Sequence, residues 1–266
     1  METIFGFIGA GNMGGALARA ARRRLAGSQI RIADAMQAKA EELADDLGAQ
    51  AVDNVTAAQC ADFLFLGVKP QMIEDLLTQL RPVLAARGTP FVLVSMAAGV
   101  SIGRIRSLAG ADYPVIRIMP NTPCGIGEGV ILYTCADVPD KARKRFLTAM
   151  DGAGLLLELA EGLFDAGGAI SGCGPAYVDL FAEALADGGV ACGLPRSAAM
   201  ALAAQTLVGS AKLMLESGRH PGDLKDAVCS PGGSTIQGVR TLENRAFRAA
   251  VIEAVIASCE KNKALG

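Results

Sequence analysis

A Gly-Gly-Ser-Thr run at 232–235 stands where a long helical pattern begins, inside the stretch KDAVCSPGGSTIQG from Lys225 to Gly238. Two consecutive glycines let backbone N–H groups approach a ligand closely, Ser and Thr suit a helix start, and the free amides of a first helical turn attract a small anion. A carboxylate would fit there. The same residues also describe an ordinary Ser- or Thr-capped helix start, so the loop needs a companion before it means more.

The companion is IFGFIGAGNMG, an apolar strand pattern that flows into Gly9, Gly11 and Gly14 with the spacing G-x-G-x-x-G and then into a helical pattern. In such a turn the first glycine makes the bend, the second admits a pyrophosphate, and the third lets helix pack against strand. Asp34 follows a second strand pattern, Ile30–Ala33, at about the 20-residue remove at which a carboxylate meets the adenosine ribose. A nicotinamide dinucleotide is the expected ligand. Asp34 would repel a 2′-phosphate and alone favours NADH, whereas Arg31 and Lys39 are cations that could turn toward one. Both NADPH and NADH are therefore expected to work, with a lean toward NADH.

The elements that must position these residues alternate. Strand patterns at Ile4–Ile8, Ile30–Ala33, Phe63–Gly67, Phe91–Ser95, Val115–Met119, Val130–Tyr133 and Leu155–Glu158 are separated mostly by helical ones, which predicts an α/β, mostly parallel, Rossmann-type sheet. Ligands in such sheets lie beyond the carboxyl ends of the strands. That rule selects Gly9, Ala10, Gly11, Asn12, Met13 and Gly14, then Asp34, then Val68, Lys69 and Pro70, then Ala97 and Asn121, with Asn54 added as a further cofactor contact. Lys69 either meets the dinucleotide phosphates or faces solvent. The prolines of Met119–Pro123 stiffen a loop that either presses on a nicotinamide ring or is simply a rigid connector.

The 266 residues suit a dinucleotide-binding domain over 1–160 and a helical domain over 161–266. A net charge of −2 offers no basic face for nucleic acid, and Arg22–Arg24 reads as a solvated helix edge near the cofactor. Seven scattered cysteines without a C-x-x-C pair, and a single histidine, argue against a disulfide framework and against a bound metal. With no basic stretch before the first strand, the expected location is cytoplasmic.

After Glu161 only helical patterns remain. Asp179, Glu183 and Asp187 form one narrow stripe on an otherwise apolar helix over 176–190, and 197–211 carries no charge at all. The second is shorter than a membrane span and contains Gln205, Thr206 and Ser210, so a core helix is expected and no membrane partner. A domain of about 100 residues cannot easily surround two such helices. A homodimer, or a higher assembly of dimers, sharing one helical core is the expected solution.

Taken in order, GFIGAGNMG, LGVKP, MPNTP, SGCGPAY and KDAVCSPGGSTIQG make the chain resemble the pyrroline-5-carboxylate reductase family over essentially its full length. Cys173 and Ala227 depart from the family pattern, where serine and a polar residue are commoner. The resemblance implies reduction of 1-pyrroline-5-carboxylate, a cyclic imine carrying a carboxylate, to proline with NADPH or NADH. It implies that Gly232, Gly233, Ser234 and Thr235 hold the carboxylate, and that the Thr235 hydroxyl reaches the ring nitrogen as the catalytic group. Two other readings stand beside it. β-Hydroxyacid dehydrogenases would need a catalytic lysine, for which Lys212 and Lys225 are the candidates, although neither sits in that family's motif. A non-catalytic dinucleotide sensor would have no use for the SPGGST loop. His220 is expected at a helix entry rather than in acid catalysis.

Overall fold

The computed structural model describes residues 2–264. Short runs of aromatic and branched residues become strands wherever both faces are covered. Phe5–Ile8 (β1) is such a run, followed by Asn12–Arg22 (α1), Ile30–Ala33 (β2), Gln37–Leu47 (α2), Gln50–Ala51 (β3), Asn54–Cys60 (α3) and Phe63–Leu66 (β4). Next come Ile73–Ala85 (α4), Val92–Ser95 (β5), Ile102–Ala109 (α5), Val115–Pro120 (β6), Gly129–Ala136 (β7), Asp140–Met150 (α6), Gly154–Glu158 (β8) and Phe164–Ser171 (α7). The sheet order is β3-β2-β1-β4-β5-β6-β7-β8. Strands β1 to β6 run parallel, β7 returns antiparallel to β6, and β8 follows β7 in parallel. This is the Rossmann-type sheet that the alternation predicts, with its order reversing between β1 and β4.

All four residues of β1, β4 and β5 are buried, which explains why they read as unbroken apolar runs. Alternate residues then serve opposite faces. On one face Phe5 stacks on Phe63 with centroids 4.8 Å apart and Phe7 on Phe65 at 4.3 Å, with Phe146 of α6 over them. The other face carries Leu64 and Leu66 against Leu77, Leu80 and Ile105 of α4 and α5. The seven expected strands are present. Strand β3 is an addition, two residues long and too short to show a period.

Two compact units divide the chain, one reaching Gly172 and taking in the residues from Ser258 on, the other covering Cys173–Ala257. The first unit continues past residue 160 because α7 lies on the sheet. Phe164 is buried, a Cβ on Gly167 would stand 2.6 Å from Leu132, and one on Gly168 would stand 3.2 Å from Met119. Arg22, Arg23 and Arg24 are exposed, as expected of a solvated helix edge, but they do not stand beside the cofactor loop. They end α1, a helix length of about 16 Å from its start, and they clamp turns. Arg22 Nε donates to the Leu47 carbonyl at 2.7 Å, Arg23 donates to the carbonyls of Gly125 and Gly152 at 2.9 Å each, and Arg24 pairs with Asp151 at 2.5 Å.

The second unit is helical, built from Gly174–Ala191 (α8), Arg196–Ser217 (α9), Pro221–Ala227 (α10), Ser234–Asn244 (α11) and the first part of Phe247–Lys263 (α12). Helices α8 and α9 meet through Ala186, Ala199 and Ala203. The burial expected of these two apolar helices is not reached within one protomer, where Leu180 is 67% and Leu202 58% exposed. Helix α9 is also long and apolar enough to cross a membrane by length and composition.

Candidate active site

The three glycines of the first turn meet three different constraints. Gly9 has φ of +110°, a left-handed conformation that L side chains rarely adopt, and a Cβ there would stand 2.5 Å from the Gly67 carbonyl oxygen. A Cβ on Gly14 would overlap the Gly9 carbonyl, so α1 can lie this close to β1 only without one. Gly11 differs, because a Cβ there would meet nothing within 4 Å. It is the N-cap of α1 and makes no side-chain cap, so the amides of Asn12, Met13 and Gly14 have no partner inside the helix. Open space beside unpartnered amides at a positive helix end is the arrangement that receives a phosphate.

Beyond the carboxyl ends of β1, β2 and β4 lies a cavity of about 570 Å³ whose wall includes Gly9, Gly11, Asp34, Asn54, Val68 and Lys69. Ala10 and Asn12 line an adjoining cleft with Arg19 and Lys39. Asn54 Oδ1 is buried without a hydrogen-bond partner, and a buried acceptor so placed invites a donor from a ligand. Asp53 fixes it there by capping α3, accepting from the Thr56 amide at 2.6 Å, a bond that holds the Asp53 carboxyl below its usual pKa. Asp34 Oδ2 accepts from the Ala10 amide at 2.7 Å and Oδ1 from the Met36 amide at 2.8 Å. Lys69 is exposed at the N-cap of the 3₁₀ turn that begins with Pro70.

Two further expected contacts stand apart from this cavity. Ala97 borders a small crevice with Arg117, Met119 and Phe164. Asn121 is 7% exposed, and its side chain is taken up by the protein. Its Oδ1 accepts from the Val130 amide at 2.8 Å, and its Nδ2 donates to the Ser171 carbonyl at 2.9 Å. It shapes the MPNTP turn from inside.

In the helical unit the SPGG turn closes with the Gly233 amide donating to the Ser230 carbonyl at 3.0 Å, and Gly232 takes φ of +69°. Gly233 is the N-cap of α11, with no side-chain capping bond. Ser234 and Thr235 are therefore the first two helical residues rather than its cap. Both are exposed, and their amides and that of Ile236 have no partner within the helix. His220 stands at the entry to α10, its Nδ1 accepting from the Gly222 amide at 3.0 Å. Lys225 Nζ pairs with Asp226 at 2.8 Å, which raises the lysine's pKa and gives it no poise as a base.

Residues 161–265 match the family model described as pyrroline-5-carboxylate reductase dimerisation, and residues 4–99 match one described as NADP oxidoreductase, coenzyme F420-dependent. The pyrroline-5-carboxylate reductase of Escherichia coli (strain K12) is 40% identical over 269 residues, covering 100% of this chain and 99% of that protein. The chain belongs to the pyrroline-5-carboxylate reductase family. The reductase of Glycine max is 39% identical over 264 residues, with 98% and 95% covered. Among solved structures, the NADP-bound pyrroline carboxylate reductase of Plasmodium falciparum superposes with a TM-score of 0.88 at 33% identity, covering 100% of this chain and 98% of its own. The reductase of Coxiella burnetii gives 0.90 at 29%, with 99% and 98% covered.

Sequence reasoning missed one cluster in this reductase. Glu161 Oε1 accepts from Arg117 Nη1 and from the Ile102 amide, both at 2.8 Å, while the Arg117 guanidinium lies 4.9 Å above the Phe164 ring. It ties the turn after β5, which carries Ala97, to the start of α7. The available signal was an arginine in the otherwise apolar strand VIRIMP.

Proposed function

We infer that the glycine loop and the cavity beside it hold the dinucleotide, and that the start of α11 holds the substrate carboxylate. The chain reduces 1-pyrroline-5-carboxylate to L-proline, the last step of proline biosynthesis, with NADPH or NADH as cofactor. The observation that carries the cofactor half is the open space at Gly11 beside the unpartnered Asn54 Oδ1 on one cavity. The bound dinucleotide supplies a hydride to the imine carbon.

The chain's own residues bind and orient. Amides of Asn12, Met13 and Gly14 at the positive end of α1 would hold the pyrophosphate, Lys69 would add a cation on the rim, and Asn54 would accept from a ribose hydroxyl. Gly14 and Pro70 act on the cofactor through the backbone they shape, as do Ala97 and Asn121, while Val68 gives apolar wall. At α11, the amides following Gly232 and Gly233 receive the carboxylate, and Ser234 contributes its hydroxyl. Thr235 hydrogen-bonds the ring nitrogen and so holds the imine in one orientation. A protonated imine is already electrophilic, and hydride addition leaves its nitrogen a neutral amine, so no separate strong acid is required. That agrees with a single histidine occupied as a helix cap.

By function the division falls at 1–160 for the cofactor and 161–266 for substrate and dimerisation, although α7 and the end of α12 pack with the first unit. The exposed apolar faces of α8 and α9 call for a second copy of the chain, giving a dimer or an assembly of dimers. With that face covered, α9 is a core helix and calls for no membrane partner; the compartment assigned by this reading is the cytoplasm, with no nucleic-acid partner. The test is loss of nicotinamide absorbance when 1-pyrroline-5-carboxylate is added to the purified chain with NADPH or NADH. Binding of the dinucleotide with no turnover of the imine would reject the reductase reading.

A further inference from the structure

We propose that Asp34 is a locked carboxylate that positions the phosphate-binding turn and makes NADH the preferred cofactor over NADPH. The proposal deepens the dinucleotide reading of the cavity and rests on it. Two amides from different segments converge on this one side chain. Ala10 belongs to the turn between β1 and α1 and donates to Oδ2 at 2.7 Å, and Met36 belongs to the turn between β2 and α2 and donates to Oδ1 at 2.8 Å. The Gly9 amide adds a bond to the Ala33 carbonyl at 2.7 Å, so the phosphate turn is held to the end of β2 at two successive residues.

The chemistry of the side chain fits this duty narrowly. An ionised carboxylate has only acceptors, one oxygen for each amide, whereas an asparagine would turn an NH₂ group against one of the two donors. A hydroxyl would reach one amide at most. Swinging the carboxylate away would leave both amides without their acceptor, so the side chain stays where it is. Its charge therefore stays on the cavity wall at the end of β2, the place where this fold reads the adenosine ribose. Ribose hydroxyls can donate to the remaining lone pairs of the two oxygens. A 2′-phosphate meets a like charge that cannot yield.

The neighbouring charges do not reverse this. Arg31 is turned away, its guanidinium donating to the carbonyls of Ser28 and Ile30 at 2.7 and 3.1 Å. Asp75, Lys39 and Lys69 also line the cavity, but all three are exposed to solvent, where salt screens them, whereas Asp34 is partly buried.

The experiment measures dissociation constants of NADH and NADPH by fluorescence titration without substrate, together with the thermal midpoint of the unliganded protein, for wild type, Asp34→Asn and Asp34→Ser. Wild type should bind NADH more tightly. The ratio of the NADPH constant to the NADH constant should fall by about tenfold or more in both variants, as expected when a like charge near a phosphate is removed. The unliganded midpoint should drop by about 2–8 °C in both, since one or two amides lose an acceptor. A ratio unchanged within about twofold in both variants, or a wild type that prefers NADPH, overturns the specificity role. A shifted ratio with an unchanged midpoint overturns the positioning role. Wild-type protein that binds neither dinucleotide overturns the reading of the cavity itself, a failure distinct from the other two.

Discussion

Alanine at Gly11 and alanine at Gly14 should separate binding from folding, although the two glycines are three residues apart in one motif. Gly11 has φ of −71° and ψ of −173°, extended backbone that alanine adopts freely, and its added methyl would meet no atom within 4 Å. Alanine is the poorer N-cap by some tenths of a kcal/mol, while its stiffer unfolded chain returns about 0.4–1 kcal/mol. Stability should therefore stay within about 1 kcal/mol of wild type, or about 2–4 °C in thermal midpoint. The methyl nevertheless fills the space in which a pyrophosphate would sit. Losing two charge-assisted hydrogen bonds at about 1.5–3 kcal/mol each weakens binding by about 10²–10⁴. Gly14→Ala behaves oppositely, because its methyl overlaps the Gly9 carbonyl, which is backbone and cannot rotate aside. Overpacking of that kind costs about 1–3 kcal/mol before any ligand is added. Thermal unfolding of the unliganded variants, followed by NADH and NADPH titration, reads both quantities. Wild-type affinity in Gly11→Ala would place the pyrophosphate elsewhere, and wild-type stability in Gly14→Ala would mean that α1 and β1 have slack between them.

Three other outcomes follow from single side chains. Thr235→Ala should lower turnover by about 10²–10³ while leaving the NADH dissociation constant within about twofold, and near-normal turnover would remove the hydroxyl from the chemistry. Leu202→Lys puts a charge on an α9 side chain that is 58% exposed in one protomer, and sedimentation should show loss of the dimer; an intact dimer would mean the interface lies elsewhere. Burial, reinforced by the Glu158 charge, pushes the Cys135 thiol up from 9.0 to about 11. Because the folded value is the higher, stability is intact below pH 9 and declines as pH rises from 9 toward 11, by up to about 1.4 kcal/mol per pH unit. Denaturant midpoints across that range should flatten in Cys135→Ala, and equal slopes in the two proteins would refute the assignment.

The sheet was readable because strands buried on both faces are written as continuous apolar runs, as FGFI, FLFL and VLVS are here. The glycine turn was readable because two steric demands, at Gly9 and Gly14, and one open approach, at Gly11, fall at fixed spacing. What the sequence could not disclose is pairing across distance. Nothing local marks the Asp34 carboxylate as an acceptor for an amide 24 residues back, or Asn121 as the brace of a carbonyl 50 residues on. Asn121 looks like a binding residue for the same reason that it makes a good brace: a short amide side chain can accept and donate at once. Only its burial tells the two apart. The apolar faces of α8 and α9 were legible as a shortage of cover, since the pattern states how much surface must be buried but not which chain buries it.

The loop at 230–235 shows most clearly why a hydroxyl residue at a helix start is ambiguous in sequence and not in structure. Had Ser234 been the N-cap, its oxygen would have been spent on an amide of the first turn, and the loop would have been a structural start and nothing more. Instead the cap is Gly233, which has no side chain to spend on the first turn, and a Cβ there would require the Ser230 hydroxyl to move aside. The consequence passes along the helix. Ser234 and Thr235 move to the first and second helical positions, where their hydroxyls are not needed by the backbone and the amides beneath them remain unpartnered. Helix stability is given up at the cap, by a few tenths of a kcal/mol relative to a serine. What is gained is a cluster of donors and two spare hydroxyls at the positive end of an 11-residue helix. An anion with a hydrogen-bonding nitrogen near it, as in a cyclic imino acid, can use both at once. A plain carboxylate has no use for the Thr235 hydroxyl, so proline or a ring analogue should bind Thr235→Ala more weakly than wild type, while acetate should bind both alike. Equal loss for acetate would show that the substitution damages the helix start itself, and the separation of roles between amides and hydroxyl would fall.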